Sequence, residues 1–407
     1  MLSPLMGWFE RRLDPFPANT PGQPPTTLVA FCLHYTRGAT PWLLLMGGLS
    51  ISLAALEVML YAWVGDLVDA LGQHAPSAFF AAEGDRLALM AAVVLLVMPA
   101  LNLVWSLCTH QTLLGNYPMR IRWSVHRYLL KQSMRYFQDE FAGRIATKLM
   151  QTSLAVRETV VKILDVGNYV LVYIGGAMLI AASADVRLLL PFLGWVGCYA
   201  LLMRWFLPRM QEVSSAQADA RSTMTGRVVD SYTNIATVKL FSHSRREQAY
   251  AREAMDGFLG TVHRQMRLVT LVNISNDALN MLLLSSVGAL GLWLWSTGAA
   301  SAGDVAVALA LVLRMMGMSQ WVMWELSALF ENVGTVKDGI ASISLPPTVE
   351  DAPGAPALPK VRGEIRFDGV GFHYGKGGGV IDRLDLHVRA GEKIGIVGRS
   401  GAGKSTL

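Results

Sequence analysis

The chain has 407 residues, 52% of them hydrophobic and 16% charged, against roughly 25% charged in a soluble globular protein. With a mean hydropathy of +0.37, that balance argues against an ordinary soluble protein and makes burial in a bilayer the first expectation. The net charge of +5 matters less than where it falls, and Cys32, Cys108 and Cys198, an odd count without metal spacing, read as buried thiols rather than a disulfide framework or zinc site.

Residues Met1 to Thr27 hold six prolines and no long apolar core, and Arg11 and Arg12 follow rather than precede the apolar residues. The segment therefore reads as a cytoplasmic tail and not as a secretory signal. Leu28 to Tyr35 is expected as a short amphipathic lead-in along the membrane surface.

Six apolar spans follow, each near the ~20 residues that cross a bilayer core. They run Trp42–Trp63, Leu87–Cys108, Val166–Ala184, Leu188–Met203, Ala278–Trp295 and Val305–Met323. The loops between them are unequal. Arg120, Arg122, Arg127, Lys131, Arg135, Arg144, Lys148 and Arg157 accumulate between spans two and three, and a second basic set, Arg209 to Arg264, lies between four and five. The connections 74–85 and 296–304 carry no Lys or Arg. By the positive-inside rule both basic loops and both termini face the cytoplasm. Arg120–Gln138 and Gln217–Phe241 repeat apolar residues at helical steps with almost no breakers, so the membrane helices are predicted to continue into the cytoplasm, turn once and return. Amphipathic helices lying on the bilayer are the other reading of that pattern.

Charged residues at membrane depth point to function or pairing. Glu57 lies ~9 Å of helix from the outer end of span one, and Arg314 ~14 Å from the outer end of span six, so their side chains can meet. They are predicted to pair across or near a translocation path; a structural ion pair, or independent contacts of each with water, is the other reading. Asn273, Asn276, Asp277 and Asn280 form a polar stripe suited to hydrogen bonds between helices or to a substrate contact. Met315, Met316, Met318 and Met323 fit either gap filling or an adaptable binding wall. Trp293, Trp295, Trp321 and Trp324 suit interfacial anchoring or cavity lining.

After span six, Leu345 to Pro359 is a proline-rich, stiff linker. From Gly363 a soluble α/β fold begins, with strands expected at Glu364–Phe367, Phe372–Tyr374 and Ile381–Val388 and a glycine-rich turn at Gly375–Gly379. Lys393–Val397 is a further apolar run, expected as the strand that feeds Gly398-Arg399-Ser400-Gly401-Ala402-Gly403-Lys404-Ser405-Thr406. That run fits G-x-x-x-x-G-K-[ST], in which glycines turn backbone N–H groups onto phosphates, Lys404 reaches the β and γ phosphates and Ser405 gives its hydroxyl to Mg²⁺.

Six spans, two long basic loops, a proline-rich linker and a strand-to-glycine-loop sequence together resemble an ABC half-transporter of the exporter type. Tyr136-Phe137-Gln138-Asp139-Glu140-Phe141-Ala142-Gly143 is similar to the family's first cytoplasmic turn, with Gln138 where Asp is usual, and Asp230 to Phe241 is similar to the second. The resemblance implies coupling helices there, with Asp139, Gly143 and Phe241 in the turns, and an adenine-stacking role for Tyr374. It implies ATP and Mg²⁺ as cofactors, the lipid bilayer and a second half-transporter as partners, and no nucleic acid, the basic residues lacking aromatic interleaving. The implied domains are a tail (1–27), a six-span transmembrane domain (28–340), a linker (341–362) and the start of a nucleotide-binding domain (363–407). The glutamine, signature, catalytic glutamate and switch histidine of the family are absent, so catalytic residues are not assigned and a fragment of a longer protein is expected. The implied function is ATP-driven export of an amphipathic small molecule, lipid or peptide across a bacterial inner membrane. An importer on the same fold, as in siderophore uptake, and a truncated nucleotide-sensing subunit are the alternatives.

Overall fold

The computed structural model describes residues 3–19, 22–139, 142–241, 244–349, 354–357, 359–373 and 380–407. The chain divides into two compact units, Met1–Thr348 and Val349–Leu407.

In the first unit six helices are long and apolar enough to cross a membrane: Thr40–Gln73, Phe79–Leu129, Gly143–Ala184, Val186–Thr233, Arg245–Ser296 and Ala302–Ile343. These are spans one to six. Span five has 52 residues, far more than the ~20 a bilayer core requires. The surplus falls where the sequence turns basic, because helix propensity continues after the apolar pattern stops. The basic segments are thus continuations of the spans rather than separate surface helices. At this basic end the turns are the short helices Met134–Asp139 and Ile235–Leu240. At the opposite end the connections are brief, and Ser301 caps span six in a reciprocal box with Asp304.

Span two departs from the α pattern in two π-helical stretches, Val93–Val97 and Leu107–Leu114, and span three in one, Ile163–Gly167. Pro99 gives a local cause for the first: its ring conflicts with the carbonyl one turn back, and a widened turn relieves that conflict.

Where spans one and six meet at the short-loop end, they meet through glycine. A Cβ on Gly303 would run into the Gly65 carbonyl and the Asp69 carboxylate. Asp69 uses that closeness, accepting from the Gly303 N–H at 2.8 Å and from the Ser301 hydroxyl at 2.6 Å. An acid from one span thereby neutralises the positive end of another.

The core has two main parts. Near the basic end Phe31, Tyr35, Leu43, Tyr117, Ile121, Val156 and Val336 bury one another. Across spans three to six the cluster includes Tyr173, Phe192, Trp195, Val287, Leu311 and Met315.

Two expectations need correction here, and the N-terminal tail shows contacts that its composition does not reveal. The lead-in, helix Leu28–Thr36, buries Phe31, Cys32 and Tyr35 in the bundle while Val29 and Leu33 stay exposed, so it is a core element as well as a surface one. Burial pushes the Cys32 thiol up to about 11, whereas Cys198 is exposed on the bundle rather than buried. The N-terminal segment is anchored to the bundle at intervals, although most of its described residues are exposed. Helix Ser3–Glu10 places Phe9 against span two, and Leu13 is buried. Beyond it, proline prevents the chain from satisfying its own carbonyls, and side chains of span two do so instead. Asn116 donates to the Glu10 carbonyl, Arg120 to Asp14, Trp123 to Pro17, and Arg127 to Pro17, Ala18 and Asn19 at 2.9–3.1 Å.

The second unit holds strands β1 (Ile365–Phe372) and β2 (Ile381–Val388), antiparallel, with Ile365 opposite Val388 and Phe372 opposite Ile381. The two short strands expected before the turn are one strand, irregular around Gly369, whose φ is +58°. The turn Gly375–Gly379 lies outside the described residues. Lys393–Val397 is not a strand: a strand exists only by pairing, and among the described residues the sheet consists of β1 and β2 alone. Val397 is 93% exposed.

Candidate functional site

Spans one, three and six bring three polar side chains together at membrane depth. Arg314 Nη2 lies 2.7 Å from Glu57 Oε1, and the Tyr169 hydroxyl is shared between them, donating to Glu57 and accepting from Arg314 at 3.0 Å. A guanidinium, a phenol and a carboxylate thus satisfy one another where water is scarce. Among the described residues the Arg314 Nε is buried without a hydrogen-bond partner. Tyr169 was not foreseen; an aromatic in an apolar span gives no sign of a polar partner.

One helical turn before Tyr169 stands Asp165, inside the π-helical stretch Ile163–Gly167. Trp105 of span two donates its indole N–H to Asp165 Oδ1 at 3.1 Å, and the Ser50 hydroxyl donates to the Asp165 carbonyl at 3.0 Å. A cavity of about 340 Å³ opens between these groups, with Glu57, Asn102, Trp105, Asp165, Tyr169 and Trp321 on its wall. Asp165 escaped the sequence reading because the span-three boundary was drawn at Val166; the signal was an acid bordering an apolar run.

A larger apolar cavity, about 680 Å³, lies between spans three, four and six. Met315 and Met318 line it, and Lys162, paired with Glu325, and Arg204 stand among its lining. Met323 is buried with Met203, Phe206 and Val272 instead. The asparagine stripe is a knot between helices. Asn276 and Asn280 both donate to the Ser319 hydroxyl, at 3.1 and 3.0 Å, Trp195 donates to Asn280 at 3.1 Å, and the Tyr199 hydroxyl donates to the Ser319 carbonyl at 2.7 Å. Asp277 is exposed. Of the tryptophans, Trp321 borders the smaller cavity, while Trp293 is 51% and Trp295 55% exposed.

In the second unit the glycine loop is folded as a run of tight turns. Gly401 and Gly403 take φ of +83° and +81°, conformations that favour glycine and turn successive amides to one side. Lys404 Nζ donates to the Gly398 and Arg399 carbonyls at 2.8 and 2.7 Å, so the ammonium sits over the loop's own backbone. Left-handed glycines, a lysine within reach of the loop and a hydroxyl at Ser405 are a donor set that fits a nucleotide phosphate and its Mg²⁺. Tyr374 lies outside the described residues, and so does the side chain of Asp139. Gly143 has open space where a Cβ would be, and Phe241 is exposed.

Residues 43–319, more than half of the chain, match the ABC transporter transmembrane region. The chain belongs to the ABC transporter family. A Haemophilus influenzae protein described as an uncharacterized ABC transporter ATP-binding protein is 41% identical over 411 residues, covering 100% of this chain and 66% of its own length. An ATM1-type heavy metal exporter of Novosphingobium aromaticivorans is 29% identical over 181 residues, 44% of this chain and 30% of its own. The ATP-dependent lipid A-core flippase of Neisseria meningitidis is 24% identical over 293 residues, 71% of this chain and 46% of its own. The chain therefore spans about two thirds or less of the length of these relatives. A solved bacterial Atm1-family ABC exporter with ATP bound superposes with a TM-score of 0.67 at 21% identity, over 91% of this chain and 64% of that one; the six-span bundle has the ABC exporter fold.

Proposed function

We propose that this ABC transporter chain is the membrane part, and the beginning of the ATPase part, of an ATP-driven exporter that works as a dimer of half-transporters in a bacterial inner membrane. What carries the reading is the presence, in one chain, of a six-span bundle closed at its basic end by two short helices and of a glycine loop of the phosphate-binding pattern. The basic end faces the cytoplasm on this view, together with both termini.

The residues divide the work. Amides of Gly398 to Thr406 and the Lys404 ammonium hold the phosphates, Ser405 holds Mg²⁺ and Tyr374 stacks on adenine. ATP and its Mg²⁺ supply the free energy, being bound more tightly in one arrangement of the dimer than in another. The helices Met134–Asp139 and Ile235–Leu240, with Gly143 and Phe241 in or beside their turns, pass that preference into the spans. Glu57 and Arg314, on the first and sixth spans, border the path. Relatives named for an activity are exporters and flippases, which favours export over uptake; their cargoes differ too widely to choose one by similarity.

ATP turnover by the protein expressed from its intact gene in nanodiscs tests this. Lys404→Ala is expected to lower turnover on the order of 100-fold, because it removes the cation that meets the phosphates. Equal turnover in the two proteins would overturn the assignment of the loop.

A further inference from the structure

Asp165 is a charge that the ion pairs around the smaller cavity leave over. Glu57 is matched by Arg314, and Glu325 by Lys162. Among the described residues no lysine, arginine or histidine lies within ion-pair distance of Asp165, whose neighbours are the Trp105 indole and the Ser50 hydroxyl. Around the 340 Å³ cavity, Glu57, Asp165 and Arg314 therefore sum to one surplus negative charge. Such a surplus is costly in a low-dielectric interior, and a cation would relieve it.

The walls decide which kind of cation. A hard metal ion asks for six or more oxygen ligands, and among the described residues no cluster of three or more metal-ligating groups exists. The cavity offers instead the rings of Trp105, Tyr169 and Trp321, with Leu53, Met98 and Val166 as further apolar wall and Ser50 and Asn102 as neutral polar groups. The Tyr169 and Trp321 rings stand edge to face, 6.3 Å between centroids, giving two walls at an angle. Aromatic faces beside one carboxylate attract a weakly hydrated onium group, through the ring quadrupole and the charge together. The volume suits a small molecule, at the lower end of the ~300–1,000 Å³ of ligand sites.

We propose that this cavity binds a small organic monocation, an alkyl- or arylalkylammonium whose charge rests against Asp165 and whose apolar body lies against Trp105, Tyr169 and Trp321. As a binding site it stands on the bundle alone; as a cargo site it rests on the transport reading above.

The test is calorimetric titration of the protein in phosphatidylcholine nanodiscs, without nucleotide, using three probes of similar size. These are benzyltrimethylammonium, its neutral near-isostere benzyldimethylcarbinol, and the anion benzenesulfonate. Saturable binding of the cation, with the other two at least about tenfold weaker, is expected. Asp165→Asn is expected to weaken the cation about tenfold or more and leave the carbinol unchanged, while Trp321→Leu weakens it through the wall. Should Asp165→Asn fail to assemble, Trp321→Leu carries the test, with loss of cation affinity expected and unchanged affinity contrary. Absence of saturable cation binding to the unaltered protein, equal binding of cation and carbinol, or cation affinity indifferent to Asp165→Asn would overturn the proposal. No nucleotide is present, so loss of the ATP-turnover reading would leave this result standing, and the reverse holds equally.

Discussion

Arg314 and Glu57 hold each other in a setting that would tolerate neither alone. Their side chains are 40% and 25% exposed, so the pair is partly sheltered, and its net worth is smaller than the cost of breaking it from one side. Arg314→Met is expected to destabilise the bundle by about 2 kcal/mol, because Glu57 then keeps only the Tyr169 hydroxyl. The double variant Glu57→Gln, Arg314→Met should recover most of that loss, as read from thermal unfolding midpoints in nanodiscs. A double variant as unstable as Arg314→Met alone would show that the arginine stabilises through its stem. Legibility at this scale was uneven for physical reasons. Two opposite charges at compatible depths in apolar runs can be seen in a string of letters. Tyr169, Asp69 and Trp105 cannot, because each gains meaning only from a partner on another helix. Asp165 was hidden differently: it sits at the border of an apolar run, where composition gives a boundary only to within a few residues.

At the scale of elements, the spans and their basic continuations were legible because the bilayer and the helix impose simple lengths and periods. The N-terminal strap was not. Proline-rich composition says that a segment will not form a helix of its own, and it is silent about which donors will serve its carbonyls. Arg127 answers three of them at once, so Arg127→Ala should release the segment between the tail helix and the lead-in. Tryptic cleavage at Arg11 and Arg12 should then quicken on the order of tenfold, since hydrogen bonds from a charged donor carry roughly 1.5–3 kcal/mol. The unfolding midpoint of the bundle should hardly move. Unchanged cleavage would mean that the burial of Phe9 and Leu13 suffices to hold the strap. The expected strand Lys393–Val397 failed for a related reason: apolar runs report what wants burial, while a ladder partner has to be supplied by the fold.

For the molecule as a whole, the two units differ in how they are held. The bundle buries long side chains such as Tyr117, Tyr173 and Phe192 completely, whereas among the described residues β1 and β2 pair only with each other and leave Ile365 and Phe372 exposed. A two-stranded sheet is marginal in water. Amides of 381–388 are therefore expected to exchange with deuterium on the order of a thousandfold faster than those of 305–318 in span six. Comparable protection in the two segments would show that β2 gains support from surfaces beyond its single partner strand.

The widened turn at Ile163–Gly167 also bears on how this pocket can change by mutation. A π turn holds one residue more than the α turn it replaces, and each helical residue advances the chain by about 100°. Span three is in effect one rod with a single residue too many in one turn, with Asp165 in the widened turn and Tyr169 beyond it. Deleting one residue, Val166, would let the turn close into a regular helix with Tyr169 still roughly in phase with Glu57, while Asp165 loses the widened turn that presents it to Trp105 and Ser50. Selection acting on such a chain has a single-codon dial: losing or regaining the extra residue at this turn re-aims Asp165 against rings that stay in place, a change in recognition that no catalogue of point substitutions would reveal.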